Sequence, residues 1–322
     1  MEKIEKPYVI GLDLGGTNSV FGIVDTRGEI KATTAIKTKA YPDVNDYVEA
    51  AANALEPIIE SVGGISEIKG MGIGAPNGNY YTGTIESAAN LLWKGSVPLA
   101  KLFEKRLGIP VAITNDANAA AMGEMAYGVA RGMKNFIMIT LGTGVGSGII
   151  VNGQLVYGSD GFAGELGHVT IDDSPSARQC GCGRKGCLEA YCSATGITRT
   201  AQELLLKDAR PSKLRELAPE DISSLEVFNA AKQGDELATE ILSYTGTLLG
   251  KACANFALFC SPEAFVFFGG PTKAGDFIME PLRKAYDENI LYVYKGQAKL
   301  LLSGLNGSDA AVLGASALGW EV

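Results

Sequence analysis

The sequence predicts a two-domain α/β protein made from a duplicated β-β-β-α-β-α-β unit. Three observations carry that expectation. Two strand–turn–strand openings, at residues 8–24 and 136–151, each have a glycine tip. After each opening, helical periodicity alternates with short apolar strands, the order of a mixed α/β sheet. No Pro- or Ser-rich linker separates the halves.

The elements follow in order. Pro7 precedes a strand over residues 8–14, Gly15-Gly16-Thr17-Asn18 turn tightly, and residues 19–24 return as a second strand. Asp25-Thr26-Arg27-Gly28 lead into a third strand over 29–36. Residues 43–62 carry Val44, Tyr47, Val48, Ala51, Leu55, Ile58 and Ile59 at helical spacing, with Asp43 as N-cap and a kink expected at Pro57. A buried strand over 68–75, a helix marked by Leu99, Leu102, Phe103 and Leu107, and a strand over 111–114 complete the unit. Helix 118–127 leads to strands 136–141 and 145–151, and Asn152-Gly153 is a hairpin signal. Residues 224–259 hold two helical patterns, one placing Leu237, Ile241, Tyr244 and Leu248 on one face. A strand over 264–268 ends at Gly269-Gly270-Pro271, followed by a strand over 299–302 and a helix over 309–318. A boundary near Asp116 gives domains of residues 1–115 and 116–308, with the helix of 309–322 expected to pack back on the first.

Composition narrows the function classes. The 322 residues are 46% hydrophobic and 20% charged, which excludes a disordered chain and a coiled coil. The net charge of −8 makes a poor non-specific binder of nucleic acid or anionic membrane. No apolar run approaches the roughly 20 residues that span a bilayer. The charged start, Met1 to Lys6, does not read as a signal peptide, so the expected compartment is the cytosol. There the six cysteines are thiols or metal ligands rather than disulfides.

The glycine tips carry chemistry. Residues 11–18 (Gly-Leu-Asp-Leu-Gly-Gly-Thr-Asn) and 141–148 (Leu-Gly-Thr-Gly-Val-Gly-Ser-Gly) let backbone N–H groups approach phosphate oxygens, with Asp13 placed to hold a hydrated Mg²⁺. Two plain hairpins are the alternative, but two such loops at matching places in a repeat favour phosphate binding. Each loop leads into a strand, whereas Walker A and dinucleotide loops lead into a helix. Gly246 to Lys251 has the wrong spacing, and Gly181-x-Gly183-x-x-Gly186 lies in a cysteine cluster, so both are decoys.

Asp116 stands where a strand hands over to an Ala-rich helix, beside Asn115. It is either an N-cap or a general base that takes a proton from a sugar hydroxyl, with Asn115 orienting the hydroxyls. His168, Cys180, Cys182 and Cys187 form H-x11-C-x-C-x4-C, a set suited to tetrahedral Zn²⁺ with no open position, hence structural. Glu165 and Glu189 flank that cluster as candidate acceptors for sugar hydroxyls. Cys192, Cys253 and Cys260 read as buried small apolar residues.

Taken together these residues resemble the ROK family (repressor, open reading frame, kinase) of sugar kinases, and within it the ATP-dependent glucokinases. The resemblance runs over essentially the whole chain, through Gly11–Asn18, Asn115–Glu124, Leu141–Gly148, Glu165–His168, Cys180–Glu189 and Gly269-Gly270-Pro271. It implies the actin/hexokinase-like (ribonuclease H-like) fold, a cleft between the domains, and transfer of phosphate from ATP to a hexose. It implies Asp116 as base, and Asn90, Asn115, Glu165, His168 and Glu189 on the sugar. Asp13, Gly15, Gly16 and Thr17 would sit at the phosphates and Mg²⁺, Gly142, Thr143 and Gly144 on the nucleotide, and Gly269 and Gly270 near the adenosine. His168, Cys180, Cys182 and Cys187 would hold zinc, and the assembly would be a homodimer. Asn77 departs from the family: Ala75-Pro76-Asn77-Gly78 stands where many family glucokinases read Ala-Pro-Gly. A repressor of the family would need a helix-turn-helix module ahead of the first loop, and only ten residues precede Gly11.

Overall fold

Two five-stranded sheets of one topology organise the chain in the computed structural model, which describes residues 6–88, 90–305 and 309–322. The first unit opens with β1 (Tyr8–Leu14), β2 (Ser19–Asp25) and β3 (Ile30–Ile36), joined as antiparallel hairpins. Helix α1 (Val44–Glu60) follows, capped by Asp43, which accepts from the Asn45 N–H. Its Tyr47, Val48, Ala51, Leu55 and Ile59 stripe is buried. Pro57 falls in the last turn, and the helix runs on to Glu60.

Strand β4 (Ile68–Gly74) pairs parallel with β1. Three short strands then form a separate small sheet: β5 (Gly78–Asn79), β6 (Thr84–Glu86) and β7 (Ser96–Val97). With two or three residues each, they carry no periodicity that a sequence reading could find. Helix α2 (Leu99–Leu107) ends at Gly108 in the left-handed conformation, φ 71°. Strand β8 (Val111–Thr114) completes the order β3-β2-β1-β4-β8.

Helix α3 (Asp116–Tyr127) leads to the second sheet, β9 (Phe136–Leu141), β10 (Val145–Val151) and β11 (Gln154–Leu155). The turn between β10 and β11 has Asn152 at φ 54° and Gly153 at φ 76°, the two positive φ values that a tight two-residue hairpin needs. Four helices follow: α4 (Glu189–Cys192), α5 (Ala194–Lys207), α6 (Ser224–Lys232) and α7 (Glu236–Cys260). Strand β12 (Ala264–Gly269), helix α8 (Asp276–Asn289), strand β13 (Lys299–Leu302) and helix α9 (Ala310–Gly319) close the chain. The second order, β11-β10-β9-β12-β13, repeats the first position for position. The buried face of α7 follows Leu237, Ile241, Thr245 and Leu249, so Tyr244 is 41% exposed rather than in the core.

Helix α9 packs on β1 and β4 of the first sheet and on α3. A Cβ on Gly72 would lie 1.9 Å from the Ala315 carbonyl oxygen, so the helix rests directly on strand backbone. Some of the chain's 41 glycines therefore serve this seat rather than the loops. Each sheet has its own core, Ile10, Leu12, Phe21 and Phe103 in the first and Ile137, Ile139, Phe265 and Leu282 in the second. Among the described residues no helix is long and apolar enough to cross a membrane.

Candidate active site

Residues from both sheets line one cavity of about 640 Å³. Asp116 reaches it from the β8–α3 junction. The cap of α3 is Asn115, whose Oδ1 accepts the Asn118 N–H at 2.6 Å. Asp116 is thus the first helical residue rather than the cap, and its side chain is exposed to the cavity, with Oδ1 accepting the Ala117 N–H at 2.8 Å.

Two other carboxylates feel Asp116. Asp13, at the end of β1, is half-buried; burial first, then the Asp116 charge, push its carboxyl up to about 6. Glu165 is also raised, chiefly by burial, with Asp116 and Glu189 adding and His168 opposing. Asp116 therefore lies within electrostatic reach of the expected phosphate side and the expected sugar side at once.

The expected sugar side is built on β10. The Val145 N–H donates to Glu189 Oε2 at 3.0 Å, and a Cβ on Gly144 would lie 2.4 Å from that oxygen. Gly144, expected on the nucleotide, is therefore packed against a carboxylate expected on the sugar. Buried Ser147 accepts the Leu166 N–H at 3.1 Å and donates to the Gly164 carbonyl, fixing the segment that carries Glu165.

His168 faces two ways. Its Nε2 is 3.9 Å from Glu165 Oε2, and its Nδ1 is 3.8 Å from Cys180 Sγ. Cys182 Sγ and Cys187 Sγ are 3.7 Å apart, and the four candidate ligand atoms lie within 4.8 Å of one another. Tetrahedral zinc with Zn–S of about 2.3 Å separates two sulfurs by about 3.8 Å, so the donor set fits that ion. Buried Arg178 anchors the cluster: it donates to the Ala190 and Gly196 carbonyls and to Glu203, and its guanidinium lies 4.5 Å from the centre of the Tyr191 ring. The decoy glycine motif lies within this cysteine loop, where the Gly186 N–H donates to the Arg178 carbonyl. All six cysteines are free thiols; Cys192 and Cys253 are buried as expected, but Cys260 is only half-buried.

On the expected nucleotide side, the start of α5 ties down the second loop. The Ala194 N–H donates to the Gly142 carbonyl and Thr195 Oγ1 to the Thr143 carbonyl, both at 2.8 Å. A Cβ on Gly142 or Gly270 would meet nothing within 4 Å, so both border open space. Gly142, Thr143, Gly269 and Gly270 line the cavity. In the first loop only Asp13 lines it; Gly15, Gly16 and Thr17 form the turn beyond. Gly16 backs onto Asn90, where a Cβ would lie 2.6 Å from the Asn90 carbonyl oxygen. Asn90 lines the cavity, and nearby Trp93 packs its ring at 4.8 Å and 56° against Tyr47 and donates to the Tyr41 carbonyl.

Asn77 and Phe162 also line the cavity. Asn77 has φ 52° and donates to the Glu86 carbonyl at 2.9 Å. Asparagine tolerates this left-handed region better than other non-glycine residues. Phe162 offered no signal, since an apolar loop residue has no periodicity to betray it.

The sequence pattern of the ROK family matches residues 9–321. The glucokinase of Halalkalibacterium halodurans is 36% identical over 318 residues, 98% of this chain and 94% of that one. The xylose repressor of Caldicellulosiruptor bescii is 27% identical over 96% of this chain and 77% of that one. A ROK family glucokinase from Streptomyces griseus, solved with glucose and AMPPNP, superposes with a TM-score of 0.78 at 32% identity, over 98% of this chain and 100% of that one.

Proposed function

Since the chain belongs to the ROK family, we propose that it transfers the γ-phosphoryl group of ATP to a hexose, with glucose as acceptor and glucose 6-phosphate as product. The observation that carries this reading is the exposed Asp116 carboxylate in a cavity with glycine loops and a cluster of sugar-type polar groups.

Asp116 takes the proton of the attacking hydroxyl as the oxygen–phosphorus bond forms, and ADP leaves. Asn90, Asn115, Glu165, His168 and Glu189 bind the remaining hydroxyls. Glu189 holds the Val145 N–H with Oε2 and accepts from the Cys180 thiol with Oε1 at 3.4 Å; with Cys180 bound to zinc as a thiolate, Oε1 would be left for the sugar. The N–H groups of Thr143 and Gly144 in the second loop and of Gly16 and Thr17 in the first hold the phosphates, while those of Gly142 and Gly15 close the two turns on the Gly144 and Asn18 carbonyls; Gly142 borders the nucleotide, with Gly269 and Gly270 beside the adenosine. Asp13 is a half-buried carboxylate with a second carboxylate as neighbour, an arrangement that a divalent cation relieves. It would hold Mg²⁺, which neutralises phosphate charge when bound. Zinc on His168, Cys180, Cys182 and Cys187 would be structural, fixing the imidazole so that Nε2 addresses the sugar. The working protein is a cytoplasmic homodimer.

An ADP-release assay over glucose, fructose, allose, N-acetylglucosamine and N-acetylmannosamine tests the reading. Highest kcat/KM on glucose supports it; a higher value on another hexose reassigns the acceptor, and no turnover on any removes the kinase. The likeness to a xylose repressor favours one second reading, a sugar-responsive regulator. Sugar-dependent retardation of DNA in a gel, without hexose turnover, would replace the kinase with it.

A further inference from the structure

We infer that Asn79 is a positioning residue for the sugar-binding segment, latching the small three-stranded sheet of the first unit onto the loop of the second unit that leads to Glu165. The inference rests on the kinase reading of the cavity.

Asn79 ends β5 and is 3% exposed. Its amide works at both ends. Oδ1 accepts the Tyr81 and Thr82 N–H groups at 3.0 and 3.3 Å, shaping its own turn. Nδ2 crosses to the second unit and donates to the Asp160 carbonyl at 2.7 Å. Two aromatic contacts flank that bond. Tyr81 donates its hydroxyl to the Gly158 carbonyl at 2.8 Å, and the Tyr80 ring stacks on Tyr157 at 4.2 Å with 9° between the planes. The loop backbone lies flat on the amide, since a Cβ on Gly161 would come within 2.6 Å of Asn79 Oδ1.

What the latch grips is a segment that would otherwise be costly to order. Gly158, Gly161 and Gly164 have φ of 74°, 90° and 96°, and glycine loses more backbone freedom on ordering than any other residue. Asp160 passes the constraint on, its Oδ1 accepting the Phe162 N–H at 3.2 Å. Phe162 and Glu165 then line the cavity. Ser147 holds the far end of the segment and Asn79 the near end. With the loop ordered before the sugar arrives, binding does not bear that entropy. Loss of the latch should therefore weaken sugar binding and leave the chemical step alone, a change in KM rather than kcat.

Asn79→Asp tests this because it keeps the size and the turn-forming acceptor but sets a charged acceptor oxygen against the Asp160 carbonyl where the N–H donor was. The expected result has two parts. In ligand-free protein, amides of residues 158–166 exchange with deuterium faster than in the parent. The hexose KM rises about 3- to 10-fold, as for one lost hydrogen bond, with kcat and the ATP KM unchanged. Tyr81→Phe, which deletes one hydroxyl from an exposed ring, should move both readings the same way by less, and it carries the comparison if Asn79→Asp does not fold. Unchanged exchange overturns the inference, and so does faster exchange with an unchanged hexose KM. Should the parent turn over no hexose, the kinase reading fails separately. Hexose binding by calorimetry, read with the same exchange data, then decides the latch.

Discussion

The two glycine hairpins occupy equivalent places in equivalent sheets, yet they lean on different things. In the first, Gly16 is packed against Asn90, whose carbonyl oxygen would lie 2.6 Å from an added Cβ, so its partner is main chain. In the second, Gly144 is packed against the Glu189 carboxylate, which belongs to the loop carrying the Cys/His cluster. Each hairpin touches one residue proposed for the sugar. The repeat supplies two glycine-tipped loops of one design, and what each unit inserts elsewhere decides what that loop packs against. The first inserts a small sheet after β4; the second inserts the cysteine loop and α4–α6 after β11.

The largest expected effect falls between the hairpins. Asp116→Asn keeps the shape but cannot take a proton, so turnover should drop about 10²- to 10⁴-fold while glucose affinity by calorimetry holds. Turnover near the parental rate would mean that the hairpins bracket something other than the base.

A pair of glycine substitutions sharpens the contrast within the second hairpin. Gly144→Ala pushes on Glu189 Oε2 and should raise the glucose KM about 3- to 10-fold through the strained Val145–Glu189 bond. Gly142→Ala faces open space and should act on the ATP KM alone. Equal effects of both on ATP, with glucose untouched, would mean that Gly144 serves the nucleotide alone.

The smallest effect is on stability, in the first hairpin. Asp13 has a folded pKa of about 6 against an ordinary 3.8, so the folded state holds the extra proton. Its unfavourable contribution is absent below about pH 4, grows as pH rises through 6, and is complete above it. Asp13→Asn should therefore stabilise the Mg²⁺-free protein above pH 6 by roughly 1–3 kcal/mol, with little change at pH 4. Thermal melts between pH 4 and 8 check this. Equal melting of parent and variant at pH 7.5 would mean that the carboxylate is not desolvated.

Much of this was legible in the sequence because periodicity marks long elements. The strands that open each unit and the cap at Asp43 are written in local pattern, and so is the Asn152-Gly153 turn. The cysteine cluster was legible because its ligands are close in sequence. What escaped was set by tertiary contact. The strands of the small sheet are too short to repeat. Gly72 looks like any strand glycine until α9 rests on it. Asp116 could have been a cap until Asn115 took that place. Glu189 and Gly144 stand 45 residues apart in the chain, and only the fold shows that one presses on the other.

That contact leads to the central claim, that the Cys/His loop holds the sugar and the hairpins hold the nucleotide. The direct measurement is calorimetry of the protein before and after removal of its metal by a chelator, with folding followed by circular dichroism. About one zinc per chain is expected in the untreated protein. After removal, glucose affinity should fall by about 10-fold or more while affinity for a non-hydrolysable ATP analogue is kept. A folded, metal-free protein that binds glucose as tightly as before would contradict that claim.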